Sequence, residues 1–173
     1  MRTIFFAALF FVCFSLVSYA ADVTIPMYAT DEHGVGKSLG AVRALDGKDG
    51  LVLAPDLKGL PAGGHGFHVH ENPSCEAREK EGKMTAALGA GGHYDPLGSG
   101  KHEGPAGTGH LGDLPLLTAA ADGSVTMPVI APRLKVADLK GRSLMIHAGG
   151  DNYSDKPQPL GGGGARIACG VVP

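Results

Sequence analysis

The sequence contains no tryptophan, few aromatic residues and only three cysteines among its 173 residues. Aromatic residues make up 6% of the chain, whereas glycine occurs 28 times. A core must therefore be built from small and β-branched side chains joined by many turns, which favours an all-β fold. The formal net charge is only -2, and no cluster of basic residues suited to nucleic acid is present. The length corresponds to one domain.

Several enzyme signatures are also missing from the chain. It has no HExxH or Cys-x-x-Cys motif, which argues against a zinc protease and a dithiol redox protein. No sustained helical periodicity occurs, and no internal repeat is visible at periods of roughly 20 to 50 residues. These absences leave a small β protein, without the chemistry of the excluded enzyme classes, as the expected type of protein.

The first twenty residues have the pattern of a secretory signal peptide. Arg2 precedes an apolar run from Ile4 to Val17, and small residues up to Ala20 suit a cleavage site. A retained membrane anchor is the alternative, but the apolar run falls short of the roughly 20 residues that a spanning helix needs. We therefore expect residues 1–20 to be removed, and residues 21–173 to form one domain in the periplasm without a membrane anchor.

Export leaves two of the three cysteines in the mature chain. Cys13 lies in the apolar run and is expected to leave with the signal peptide, whereas Cys75 and Cys169 remain. Their compartment permits disulfides, so we expect a bridge between them, with two unrelated buried thiols as the alternative. Such a bridge would tie a long middle loop to the last strand.

Short apolar or alternating segments predict eight strands separated by turn signals such as Asp46-Gly47 and Asp122-Gly123. A β-sandwich or flattened barrel fits this pattern best. The predicted strands are Asp22–Tyr28, Ser38–Leu45, Gly50–Ala54, Gly66–His70, Leu114–Thr118, Ser124–Ile130, Ser143–Ala148 and Arg166–Val172.

Two connections, Glu71–Asp113 and Gly149–Ala165, are too long to be ordinary turns. Loops of this length usually carry function or are held in place by crosslinks. Most of the histidines and the cysteine pair lie in or beside these two segments. The chemistry of the protein is therefore expected there.

Histidines at the ends of two predicted strands suggest a metal site. His68 and His70 alternate with Phe67 and Val69, so both imidazoles should project from one face of the strand. His147, at the end of another strand, could provide a third ligand. A His-x-His pair alone is a weak signal, and its weight here depends on the other histidines.

The long loop adds three imidazoles and a carboxylate, from His93, His102, His110 and Asp113. This set suits tetrahedral zinc, and a bound metal would order a glycine-rich loop. The alternative is a solvated loop with scattered histidines. Because zinc has no accessible redox chemistry, a second, all-imidazole site on rigid strands indicates a different ion, and imidazole suits copper.

Three motifs together resemble the copper, zinc superoxide dismutase family. They are Gly66-Phe67-His68-Val69-His70, Gly109-His110-Leu111-Gly112-Asp113-Leu114 and Ala165-Arg166-Ile167-Ala168-Cys169-Gly170. Segments 149–155 and 161–164 are similar to the bacterial periplasmic branch. The resemblance implies an eight-stranded antiparallel Greek-key β-barrel or sandwich with two long metal-site loops, and one copper and one zinc ion per subunit.

The resemblance also implies roles for individual residues. His93 would bridge the two metals and take part in catalysis, Asp151 would link a copper histidine to a zinc histidine, and Arg166 would attract superoxide to the copper. His65 would be structural, and His33 is expected to be exposed. The implied copper ligands are His68, His70, His93 and His147, and the implied zinc ligands are His93, His102, His110 and Asp113.

The implied reaction converts two superoxide anions and two protons to dioxygen and hydrogen peroxide through Cu(II)/Cu(I) cycling. One alternative is a non-catalytic copper-binding carrier in the cell envelope, although the chain lacks the extra cysteine motifs expected of a copper chaperone. Another is a zinc-only interaction domain, which would leave three histidines without a purpose.

The sequence is compatible with both a monomer and a homodimer, and Lys58 is a candidate for steering the substrate.

Overall fold

The computed structural model describes residues 21–173, so the predicted signal peptide, with Cys13, lies outside the described residues. Over the described range the chain forms eleven β-strands and three short 3-10 helices. None of these helices has the length and apolar character needed to span a membrane. The strands are β1 (Asp22–Asp31), β2 (Gly34–Gly47), β3 (Gly50–Leu57), β4 (Gly63–His65), β5 (Phe67–His70), β6 (Arg78–Lys80), β7 (Lys83–Thr85), β8 (Leu117–Ala119), β9 (Val129–Ala131), β10 (Ser143–His147) and β11 (Arg166–Val171). The helices are Leu88–Ala90, Val136–Leu139 and Pro159–Gly162.

Seven strands form one sheet, in the order β5-β10-β11-β1-β2-β3-β9, and all its pairs are antiparallel. The sheet curls back on itself. β4, which is separated from β5 by Gly66 alone, pairs with β8. Val125, which follows β8, then forms a bridge to Leu57 at the end of β3. The predicted all-β fold class is confirmed.

The strand count differs from the eight predicted, for two local reasons. β4 (Gly63–His65) is an additional strand that precedes the predicted fourth strand, Gly66–His70, which corresponds to β5. The predicted loop 71–113 contains a short hairpin, β6–β7, which turns at Glu81 and Gly82 with φ values of 55° and 77°. Positive φ at both turn residues is typical of tight hairpins, and the glycine was a usable sequence signal.

The core follows the two-residue period of the strands. On β1, Ile25 and Met27 are fully buried while their neighbours are more exposed. The strands β5 and β10 differ, because every residue in both is buried. Phe67 and Val69 lie in the main apolar core, so the histidines of β5 occupy the opposite face and must be covered by the long loops.

A disulfide between Cys75 and Cys169 fixes one of these loops to β11, with the two Cα atoms 5.7 Å apart. The predicted bridge is therefore present. Around it, Ala87, Ala90 and Met145 form a second, smaller apolar cluster that includes both cysteines. The disulfide thus closes the loop over the outer face of the sheet.

Replacing both cysteines by alanine should lower the free energy of unfolding by about 4 to 5 kcal/mol, because the bridge closes a loop of 94 positions. Denaturant unfolding of the metal-loaded protein would measure this loss. Reductant should shift the unfolding midpoint of the unsubstituted chain and leave that of the double variant unchanged. Equal midpoints for the two proteins without reductant would show that the bridge contributes no stability.

Candidate metal centre

Two neighbouring strands carry three of the histidines. His68 and His70 lie on β5, and His147 ends β10, whose Met145 stands opposite His68 in the ladder. The pairing of β10 with β11 shifts register at His147. Irregularities of this kind often re-aim a side chain next to a functional site. Sheet geometry therefore places all three imidazoles under the covering loops.

We call His68, His70, His93 and His147 the all-histidine cluster. One nitrogen from each ring lies within 4.8 Å of the others, and all four residues are buried. Three of these rings have a buried nitrogen without a hydrogen-bond partner, at His68 Nδ1, His70 Nε2 and His147 Nε2. Buried polar atoms without partners are rare, and their convergence is the arrangement that a metal ion requires.

In two rings of this cluster, His70 and His147, the opposite nitrogen bonds to a backbone carbonyl. Nδ1 of His70 donates to the Gly91 carbonyl at 3.0 Å, and Nδ1 of His147 donates to the Gly164 carbonyl at 3.2 Å. Because a carbonyl can only accept, the proton must sit on Nδ1 and the lone pair on Nε2. Such bonds orient ligand imidazoles around metals in general.

Burial keeps these imidazoles neutral. Loss of solvent lowers the pKa of His68 to about 3 and that of His147 to about 4, despite hydrogen bonds that oppose the shift. Burial likewise lowers the pKa of His70 well below its ordinary value. At neutral pH each ring therefore offers a free lone pair, the form that binds a metal.

A second group, the carboxylate-centred cluster, consists of His93, His102, His110 and Asp113. The Nδ1 atoms of the three histidines lie 3.0, 3.0 and 3.4 Å from Oδ1 of Asp113, in that order. Nδ1 of His102 and Nδ1 of His110 are buried without a hydrogen-bond partner. Three nitrogens and one carboxylate oxygen thus converge on one point.

The charge at this point is negative. Burial alone would raise the pKa of Asp113, but the adjacent His102 and His93 rings outweigh it and hold that pKa well below its usual range. Burial opposes protonation of His102, yet the carboxylates of Asp113 and Asp151 raise its pKa to about 9. An ionised carboxylate among three imidazoles matches the preferred ligand set of tetrahedral zinc.

His93 belongs to both clusters, because β5 uses its free edge to pair with the long loop. Isolated bridges join His70 to His93 and His68 to Asp113, so the backbone of the loop runs alongside the strand. The rings of His68 and His93 stack with centroids 3.9 Å apart. By ligand-atom distance alone, His68 also groups with His93, His102 and Asp113, which shows how closely the clusters adjoin.

Asp151 connects the two clusters from a fully buried position. Its Oδ2 accepts a hydrogen bond from His68 Nε2 at 2.8 Å, and its Oδ1 accepts one from His102 Nε2 at 2.7 Å. Burial would raise the pKa of this carboxyl, but the two histidine hydrogen bonds reverse the effect and lower it. Because the carboxylate accepts from both Nε2 atoms, the Nδ1 atom of each ring points into its own cluster.

Gly161 lets the second long loop close over Asp151. A Cβ atom at this position would collide with the Asp151 carboxylate and lie 2.8 Å from His102 Nε2, and its φ is +72°. Both the contact and the backbone angle therefore require glycine. Gly161, in the glycine run 161–164, thus brings the backbone close to the site.

Arg166 lies at the start of β11, opposite His147. Its Nη1 donates to the Ala87 carbonyl and its Nη2 to the Gly91 carbonyl, both at 2.7 Å. Burial lowers the pKa of Arg166, but arginine stays charged in proteins. Since the Gly91 carbonyl also accepts from His70, the cation is held directly beside the all-histidine cluster.

The structure brings together all the side chains that the sequence singled out for the two sites. His65 is buried and its two ring nitrogens face the carbonyls of Pro61 and His147 at 2.8 Å, whereas His33 is 85% exposed. The sequence missed the carbonyl partners of the histidines and of Arg166, because backbone atoms have no residue signature. For the same reason it missed the hydrogen bonds from Arg133 to backbone carbonyls of the long loop.

Comparison with known proteins gives one consistent result. The sequence model of the family described as copper/zinc superoxide dismutase (SODC) matches residues 39–172. The superoxide dismutase [Cu-Zn] of Brucella abortus biovar 1 (strain 9-941) is 52% identical over 173 residues, covering 99% of both chains. Among solved structures, the Cu/Zn superoxide dismutase from Brucella abortus has a TM-score of 0.87 and 55% identity, covering 88% of this chain and 100% of its own. The monomeric copper, zinc superoxide dismutase from Salmonella enterica has a TM-score of 0.80 and 54% identity, with the same coverage.

Replacing Asp151 by asparagine should weaken metal retention by about 10- to 100-fold, because the two Nε2 donors would share one acceptor oxygen instead of a carboxylate. Metal release to a chromogenic chelator would measure the change. Asp122→Asn is the matched control, since Asp122 is an exposed turn residue bonded only to Ser124. Identical release from the Asp151 variant and the control would remove Asp151 from the metal centre.

Proposed function

The chain belongs to the copper/zinc superoxide dismutase family and dismutates superoxide with copper and zinc as cofactors, and on this basis we propose how its own residues perform the reaction. The observation that carries the proposal is the set of five buried ring nitrogens that lack hydrogen-bond partners. They belong to the two clusters, three in the first and two in the second. Each cluster therefore provides the donor set of one metal ion.

The all-histidine cluster is the proposed copper site and the carboxylate-centred cluster the proposed zinc site. The free nitrogens of the first are imidazole alone, which suits copper, whereas the second adds a buried carboxylate, which suits zinc. His110 enters the zinc set because its free Nδ1 lies 3.4 Å from Asp113 Oδ1. The copper ligands are His68, His70, His93 and His147, and the zinc ligands are His93, His102, His110 and Asp113.

Copper, when bound, supplies the one-electron redox chemistry that oxidises one superoxide to dioxygen and reduces another to hydrogen peroxide. The chain supplies the rigid geometry for this exchange. His68, His70 and His147 are held on strands by ladder pairing and by hydrogen bonds to their outer nitrogens. Such support limits rearrangement of the site between turnovers.

Arg166 is proposed to bind and orient the anionic substrate. Two carbonyls hold its guanidinium beside the all-histidine cluster, so its charge has a fixed position. The planar fork retains N–H donors beyond the two used in these bonds. A fixed cation in a partly buried site attracts a small anion more strongly than a solvated one does.

His93 is proposed to handle one proton of the reaction. Its Nδ1 bonds to Asp113 at 3.0 Å, so Nε2 is the nitrogen left for the all-histidine cluster. That atom would hold, and donate, one of the two protons that the peroxide product requires. The contact of Nδ1 with Asp113 on the other side of the ring fixes the direction in which Nε2 points.

The N-terminal segment indicates where in the cell the protein acts. We propose that residues 1–20 direct export and are cleaved, so that residues 21–173 act in the periplasm, where the Cys75–Cys169 bridge is stable. All ligands come from one chain, and the proposed site is complete without a second subunit. The alternative of a non-catalytic copper carrier is favoured by no observation on the described residues.

Dismutase activity should track bound copper, at about one copper and one zinc per chain as the ligand sets imply. The experiment compares the metal-loaded protein with the chelator-stripped protein and with protein reloaded with copper, zinc or both. Zinc alone should restore no activity, because it has no redox states. Full loading with both metals and no activity would support the copper carrier instead.

Replacing Arg166 by alanine should lower the rate at low salt by about 10-fold or more, while copper and zinc contents stay unchanged. The rate should fall with ionic strength more steeply for the unsubstituted enzyme than for the variant. Arg43→Ala is the matched control, because Arg43 forms an exposed pair with Asp22 on β1. Unchanged activity in the Arg166 variant would refute the steering role.

A further inference from the structure

Arg133 is a half-buried cation that the reaction does not use, yet it forms four hydrogen bonds to the metal-binding loop. It follows β9 and precedes Leu134, which is almost completely buried and donates its backbone N–H to Ala131. Its backbone is therefore anchored to the sheet. Its side chain reaches from this anchor to a segment about 25 residues earlier, as the sequence separations of its bonds show.

The guanidinium binds four carbonyl oxygens of one short segment. Nε donates to Pro105 at 3.0 Å, Nη1 to Gly109 at 3.1 Å, and Nη2 to Gly104 at 3.2 Å and to His110. Four of the five N–H donors of the side chain are thus used.

Apart from Arg133, the bonds that hold this segment are local. Thr108 donates to the Glu103 carboxylate through its backbone N–H and its hydroxyl, and Gly107 donates to the Gly104 carbonyl. Residues 104–110 form no strand or helix, and four of their carbonyls point at the guanidinium. Converging carbonyls repel one another unless a cation or several donors lie between them, as Arg133 does here. Hydrogen bonds from a charged donor contribute more than neutral ones, about 1.5–3 kcal/mol each against about 1 kcal/mol.

The segment leads directly to two of the proposed zinc ligands. His110 uses its carbonyl for Arg133, its backbone N–H for the Lys101 carbonyl at 2.8 Å, and its ring for the site. The bond to Lys101 joins it to the residue before His102. Holding the 104–110 turn therefore fixes the separation of the two histidine backbones.

The other end of the loop is held independently of Arg133. Val69 on β5 donates to the Gly112 carbonyl at 2.9 Å, and Leu114 donates to the Phe67 carbonyl at 3.2 Å. These bonds fix Asp113, which lies between them in the chain. Arg133 thus holds the His110 side of the zinc site, which the sheet edge does not reach, whereas His102 is also held by Asp155 and Asp151.

We propose that Arg133 is a positioning residue for the zinc site, which sets the geometry of His102 and His110 by clamping the carbonyls of segment 104–110. The inference rests on the zinc assignment proposed above. Arg133 touches neither the proposed ligand nitrogens nor the substrate, so it acts through the loop. Its loss should affect zinc before copper, since the strand histidines do not depend on this turn.

Replacing Arg133 by alanine in the copper- and zinc-loaded enzyme should speed zinc release to a chromogenic chelator by about 10- to 100-fold. Copper release should change far less. Arg43→Ala is again the matched control, because it removes an arginine whose partner is the exposed Asp22 side chain. Circular dichroism and thermal unfolding would establish that both variants are folded.

Two further measurements separate positioning from general stability. Guanidinium ion at low concentration should slow zinc release from R133A, because it can bind the four carbonyls that the arginine side chain no longer contacts. Equal concentrations of sodium chloride or urea should not have this effect. Cobalt(II) placed in the zinc site should show an altered visible absorption spectrum in R133A, because that spectrum reports ligand geometry. R133K, which keeps the charge but has three donors, should lie between the two extremes, and it replaces R133A if that variant does not fold.

The outcomes distinguish the clamping role of Arg133 from the zinc assignment on which it rests. Faster zinc release with guanidinium rescue and an altered cobalt spectrum supports the clamp. Zinc release at the unsubstituted rate, or faster release of both metals without rescue, overturns it while leaving the zinc site intact. An unsubstituted enzyme that retains no zinc overturns the zinc assignment itself.

Discussion

Burial of unpaired imidazole nitrogens is the constraint on which the rest of this structure depends. Five ring nitrogens lie within the protein without a hydrogen-bond partner. Each such atom destabilises a fold by about 1–3 kcal/mol unless something binds it. Two metal ions reverse that effect, so that metal binding supplies part of the folding free energy. The same burial keeps the strand histidines neutral and therefore able to bind.

The two clusters meet this constraint by different means. Three residues of the all-histidine cluster lie on β5 and β10, where ladder register fixes the direction of each side chain. The carboxylate-centred cluster is built on a loop, which needs anchors at several points: the free edge of β5, the Asp151 carboxylate and the Arg133 guanidinium. The disulfide to β11 anchors the earlier part of the same covering segment. Asp151 couples the clusters because its two oxygens each bond to one of them.

The position of the charged Arg166 depends on the loop that covers the site. Arg166 takes its place from the Ala87 and Gly91 carbonyls, which belong to the loop that the disulfide closes. Ala87 adopts a left-handed backbone with φ 48°, an uncommon conformation for a residue with a side chain. The carbonyl that results from this backbone points at the guanidinium. The disulfide, the left-handed backbone at Ala87 and the position of Arg166 are thus linked through one short segment.

The sequence by itself determined the all-β class, the pairing of Cys75 with Cys169 and the side chains of both clusters. These features follow from residue type, from counts and from the two-residue period of strands, which a sequence displays directly. Tertiary structure alone decided which ring nitrogen of His70 stays free, where Arg166 is held and that Arg133 supports the loop. The reason is that backbone carbonyls decide all three, and every residue has one, so their positions become specific only when the chain is folded.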